Sequence, residues 1–71
     1  MGRKIHVMPR APVGRIILNA GAKRVSAEAV NEFAEVLTQI AMDIGQRSVK
    51  IAKHSGRKTV HEEDIKLAVK P

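Results

Sequence analysis

An apolar seam too long for the chain that carries it sets the first constraint. Over residues 26–55, Val30, Phe33, Leu37, Ile40, Ile44 and Ile51 recur at steps of three, four and seven, the spacing that lines one face of an α-helix. Ser26 has the side chain of an N-cap and Gly56 suits the left-handed residue that closes a helix, so a single helix is predicted over 26–55. Glu28 falls in its first turn, where negative charge complements the helix dipole, while Ala29 stands where a full capping box places Glu or Gln. Gly45 has no proline or loop residues beside it, so it reads as a weak point of about 1 kcal/mol relative to alanine and not as a break. Some 30 helical residues at about 1.5 Å each span about 45 Å, whereas a compact 71-residue globule is only about 29 Å across. Two short flanking helices cannot cover such a seam. The same helix of a second copy, crossing it antiparallel about a two-fold axis, can.

The flanks read as short helices. In APVGRIILNAG, Val13, Ile16, Ile17 and Ala20 share a face, Pro12 suits the first helical position, Gly21 fits the place just past the end, and Arg15 points away from the core. A last helix is predicted over 60–69, with Thr59-Val60-His61-Glu62 matching the capping box T-x-x-E and Ile65, Ala68 and Val69 forming a small apolar face. No strand longer than a few residues is expected, and the class is all-α.

A chain of 71 residues buries only about 60% of the surface its unfolded form exposes. It has no cysteine, which removes disulfides and most zinc sites as staples and leaves oligomerisation. No apolar run reaches the roughly 20 residues that span a bilayer and the N-terminal stretch lacks a signal-peptide core, so a cytoplasmic protein is expected. The net charge of +6 is unevenly placed. Arg3, Lys4, Arg10, Arg15, Lys23 and Arg24 precede every one of the seven acids, which fall in two later groups. Such asymmetry points to a polyanionic partner.

The two joints between helices, NAGAKRVS and HSGRKTVH, share one grammar: a small-residue helix end, a glycine, a pair of cations, then one or two β-branched residues. In an antiparallel dimer the first joint of one chain lies beside the second joint of the other, with Val25 and Val60 placed to pair as a short bridge. Lys23 and Arg24 then meet the partner copy's equivalents of Arg57 and Lys58, together with the Thr59 hydroxyl and free backbone N–H groups. Phosphates are bound by such groups without any reading of base sequence.

Other classes fit poorly. The chain has no GxxxxGK[ST], no nucleophile elbow and no nucleophile with a base at readable spacing, so no enzyme, cofactor or small-molecule substrate is expected. His6, His54 and His61 are not at metal-ligand spacing, and no metal is expected. With one phenylalanine and neither tyrosine nor tryptophan, the stacking platforms of single-strand and RNA readers are missing. A central helix of eight turns is not a helix-turn-helix, and the compact joints do not describe a membrane-binding amphipathic helix.

APVGRIILNAGAKRVS, the long middle helix and AKHSGRKTVHEEDIKLAV, in that order and over about residues 9–70, resemble the archaeal histones and, more distantly, the core histone fold of eukaryotes. The resemblance implies a histone fold (short helix, long central helix, short helix, joined by two loop or short-strand links) in residues 9–71, with residues 1–8 as a flexible basic N-terminal extension. It implies a handshake dimer, either a homodimer or a heterodimer with a paralogue, that binds double-stranded DNA, bends it over a convex basic arc, and forms higher oligomers on it as a nucleoid-associated protein. Carried to matching positions, it has Arg15 entering the minor groove supported by Thr59 of the other chain, and Arg24 and Lys58 on phosphates beside Lys23 and Arg57. It pairs Arg57 with Asp64 to brace the second joint, and it places Ile51, His54, Asp64 and Leu67 at a dimer–dimer contact. Leu18 and Asn19 stand where the family more often carries charge. The alternative within the same fold is an interaction subunit of a transcription complex; retention of cations in both joints favours DNA.

Overall fold

The computed structural model describes residues 8–70, so the expected N-terminal extension lies, apart from Met8, outside the described residues. Among them there are three helices and no strand: α1 (Arg10–Asn19), α2 (Ala27–His54) and α3 (Glu62–Val69). The chain forms two compact units, Met1–Gln39 and Ile40–Pro71, and α2 runs through both.

In the first unit α1 lies against the opening turns of α2. Gly14 is the point of approach: it is buried, and a Cβ built there would sit 3.5 Å from Val30 Cγ2 and 4.0 Å from Val25 Cγ1. Val13 and Ala34 are buried, and Thr38 is buried with its hydroxyl donating to the Ala34 carbonyl at 2.8 Å, which satisfies it without a partner from another helix. Pro12 is not the first helical residue. Extended Pro9 (φ −61°, ψ 140°) occupies the N-cap and α1 begins at Arg10, so Pro12 sits in the third position. The first four N–H groups of a helix have no internal acceptor, so a missing one costs as little there as at the first.

The α2 start is where the sequence placed it. Ser26 Oγ accepts from the Ala29 N–H at 3.0 Å, and the helix continues through Gly45 without interruption. Both α1 and α2 end in the same device. At the first joint Gly21 N–H donates to the Leu18 carbonyl (3.0 Å) and Ala22 N–H to Ile17 (3.4 Å); at the second, Gly56 N–H donates to Lys53 and Arg57 N–H to Ala52, each at 2.9 Å. These are Schellman closures, and their left-handed residue is glycine each time, at φ 123° for Gly21 and 75° for Gly56.

In the second unit α3 rests on the latter half of α2. Ala52 and Ala68 are buried, and Ser48 is fully buried with its hydroxyl on the Ile44 carbonyl at 2.8 Å. Arg47 Nη1 donates to the Ala68 carbonyl at 3.2 Å, answering one of the open acceptors at the end of α3. The start of α3 differs from the T-x-x-E reading. Its N-cap is His61, and the third helical residue, Asp64, accepts from the His61 N–H at 2.8 Å, two residues later than expected. A carboxylate on an open N–H is a charge-assisted bond, stronger than the one a threonine hydroxyl offers.

The core of a single chain is small. Among the described residues its buried apolar members are Val13, Ala34, Ala52 and Ala68, whereas Phe33, Leu37, Ile44 and Ile51 are only half-buried and Val36 and Ile40 are exposed. The bulk of the seam therefore stays in contact with water.

Candidate nucleic-acid interface

The first joint presents its cations freely. Lys23 and Arg24 are exposed in the link between the Gly21 closure and Ser26, and neither makes a hydrogen bond or ion pair among the described residues. Arg15, on α1, is likewise exposed and unpaired among them. Three guanidinium or ammonium groups in one unit thus remain available to an external anion.

The second joint divides its cations between two tasks. Lys58 and Thr59 are exposed, whereas Arg57 is half-buried and turned inward. Its Nη1 donates to Asp64 Oδ2 and its Nη2 to Asp64 Oδ1, both at 2.9 Å, and Nη1 also donates to the Thr59 carbonyl at 3.0 Å. With the His61 N–H on Oδ2, the carboxylate accepts three bonds inside its own chain. Asp64 is 1% exposed. The Arg57 side-chain hydrogen bonds, followed by the His61 N–H, push its pKa down to about 2 from the ordinary 3.8 against the opposing effect of burial, and the same bonds raise that of Arg57. The outcome is a closed ring that ties residues 57, 59 and 61 to the first turn of α3. Arg57 holds the loop, which leaves Lys58 and Thr59 as the groups the joint offers outward.

A family profile described as histone-like transcription factor (CBF/NF-Y) and archaeal histone matches residues 6–69. The chain belongs to this family. Among relatives of the histone-fold chain, one of the subunits of archaeal histone HAN1 from Thermococcus zilligii is 48% identical over 63 residues, 89% of this chain and 94% of that protein. "Probable archaeal histone 3" of Methanocaldococcus jannaschii is 51% identical over the same shares of the two chains. "DNA-binding protein HmvA" of the same organism is 35% identical over 60 residues, 84% of this chain and 62% of that protein. The all-α arrangement of short, long and short helices is the histone fold, and the function class is that of a DNA-binding architectural protein of chromatin.

Of the four residues expected at a dimer–dimer contact in this histone-fold chain, Ile51 is half-buried and His54 and Leu67 are exposed, but Asp64 is enclosed by the ring just described. Two arginines beyond the expected set emerged. Arg47 joins the end of α3 and pairs with Asp43 at 2.8 Å; the i, i+4 spacing of that pair is legible in the sequence, the Ala68 contact is not. Arg10 donates from Nε to Asn31 Oδ1 at 2.7 Å and from Nη1 to the Met8 carbonyl at 3.1 Å, linking α1 to α2 across 21 positions, which no local pattern reveals. No described helix is long and apolar enough to cross a membrane.

Proposed function

We propose that the chain works as a dimer joined along α2, compacting duplex DNA in the cytoplasm as part of the nucleoid, with phosphate contacts from Lys23, Arg24, Lys58 and Thr59 and minor-groove insertion of Arg15. The observation that carries this reading is the matched construction of the two joints: each closes its helix on a left-handed glycine and then turns exposed cations outward. A backbone closed in this way holds lysine and arginine stems at fixed positions, and fixed cations at loop ends suit a regular polyanion. Dimerisation is supported by the seam, since Ile40 is exposed and Phe33, Leu37, Ile44 and Ile51 are only half-covered. Two identical chains suffice, because a two-fold axis brings the same face of α2 onto itself. Arg57 serves the site indirectly by keeping Lys58 and Thr59 in place. Further dimers join through Ile51, His54 and Leu67, with Asp64 supporting the joint beside them.

The test is the salt dependence of binding to duplexes of different sequence. Wild type is expected to bind with little sequence preference and to lose affinity steeply with salt. Lys58→Ala removes one phosphate contact per chain, so the slope of log K against log salt falls by about 2 per dimer, evenly across sequences. Arg15→Ala weakens binding most on narrow A·T minor grooves. A single tight consensus site with a shallow salt slope would rule the reading out.

A further inference from the structure

Arg57 and Arg47 are neutralised inside the chain, by Asp64 at 2.9 Å and by Asp43 at 2.8 Å. Arg10 is held in another way. Its Nε donates to Asn31 Oδ1 at 2.7 Å and its Nη1 to the Met8 carbonyl at 3.1 Å, so both acceptors are neutral. Nη2 has no partner among the described residues, and no carboxylate pairs with Arg10 among them. A staple between α1 and α2 would be stronger with a carboxylate at position 31, which would form a charge-assisted bond. Asparagine fixes the direction of the guanidinium and leaves its charge uncancelled.

The seam does not cover this pair. Asn31 is exposed, and it precedes Phe33 by two residues and Ile40 by nine, hence lies about 160° and 180° from them around the axis of α2. A second copy on the seam therefore leaves Asn31 and the guanidinium it holds facing water. Arg10 also shares a side of the first unit with Arg15, since both border the groove between α1 and the first turns of α2. Five residues separate them, about 7.5 Å along α1. The minor groove is about 6 Å wide. With Arg15 in that groove and α1 crossing it, Arg10 falls beyond the edge, where a phosphate-bearing strand runs. Tied to Asn31 and to Met8, it cannot extend to a base edge.

We propose that Arg10 is a further DNA-contacting residue, which binds a backbone phosphate beside the groove entered by Arg15, and that Asn31 is its positioning residue. A free arginine loses rotamer freedom when it meets a phosphate, whereas Arg10 has lost it already on folding. The phosphate supplies the counter-charge that the chain withholds. Such a contact adds affinity without reading sequence.

The position of Arg10 over the backbone rests on the reading that places Arg15 in the minor groove. Three variants, Arg10→Gln, Asn31→Asp and Lys66→Gln, each lower the charge by one per chain. Lys66 lies on α3, paired with Glu62 at 3.3 Å, and reports bulk charge alone. Binding is followed by anisotropy of a labelled duplex, alongside thermal melts. Loss of one phosphate contact per chain lowers the salt slope by about 2 per dimer, so between about 50 and 200 mM salt wild type should lose about tenfold more affinity than Arg10→Gln. Asn31→Asp should lower the slope equally, because its carboxylate replaces the phosphate as counter-charge, yet melt no lower than wild type. It keeps both links, so it decides the matter where Arg10→Gln folds poorly. Lys66→Gln should keep the wild-type slope. A lowered melting temperature with unchanged slope in Arg10→Gln, and wild-type binding by Asn31→Asp, would make Arg10 a staple only and overturn the proposal. Equal slopes in all three variants would reduce the effect to bulk charge and overturn it too. A reduced slope in Lys58→Ala beside an unchanged one in Arg10→Gln would overturn Arg10 alone. Arg15→Ala with undiminished binding on A·T grooves, beside a reduced slope in Arg10→Gln, would remove the minor-groove reading and leave the phosphate contact standing.

Discussion

Arg57 and Asp64, seven residues apart, meet in a bidentate ion pair in which Nη1 donates to Oδ2 and Nη2 to Oδ1, both at 2.9 Å. The pair joins a loop cation to the first turn of α3, and the carboxylate end of it is buried. Neither partner can be lost cheaply, because the other is then left without its counter-charge.

The carboxyl of Asp64 is lowered in the folded chain to about 2 from an ordinary 3.8. Its contribution to stability is therefore complete above about pH 4 and is lost as pH falls from there through about 2. Thermal melts across that window should show wild type declining more steeply than Asp64→Asn, which has no carboxyl to protonate. Parallel curves for the two proteins would show that the pair carries no such linkage.

Glycine at the two closures is required by the backbone and not by space. A Cβ at either Gly21 or Gly56 meets nothing within 4 Å, yet both have positive φ. Gly56→Ala and Gly21→Ala should each cost about 1–2 kcal/mol per chain in denaturant titrations at fixed protein concentration. Gly56→Asn should cost less than Gly56→Ala, because φ 75° is close to the left-handed region asparagine tolerates, whereas φ 123° at Gly21 is not.

If folding and association are one event, the melting temperature rises with protein concentration. Sedimentation should find dimer and no folded monomer. Ile40→Glu, at a seam position half exposed in the single chain, should shift the equilibrium to unfolded monomer. A monomer that melts at one temperature over a hundredfold concentration range (on the order of two decades) would dispose of the dimer.

Assembly on DNA is checked with His54→Glu combined with Leu67→Glu. Both side chains are exposed, so the variant should keep the melting behaviour of wild type. The lengths of DNA protected from nuclease should shorten. An unchanged series of lengths would place the contact between dimers on some other surface.

Most of the helical framework was legible in the sequence, since its signals are local. Ser26 caps the helix it precedes, Gly21 and Gly56 close those they follow, and the seam advances by helical steps whatever lies around it. The paired cations of the joints were legible for the same reason, as was the shortage of core, because helix length and chain length can be compared without coordinates. The resemblance to the archaeal histones had implied the Arg57–Asp64 brace, but no local pattern in the residues shows it, and tertiary structure decided how the charges are used. Thr59 and Glu62 satisfy the capping pattern as letters, but Arg57 captures Asp64, and the captured carboxylate takes the His61 N–H and moves the start of α3. The same capture buries Asp64 and turns Arg57 from an outward cation into a brace. Arg10 on Asn31 and Arg47 on the Ala68 carbonyl each join residues 21 positions apart. Periodicity reports which face of one helix is apolar; it carries no information about which side chain of the next helix comes within 3 Å, because packing two helices together sets that distance.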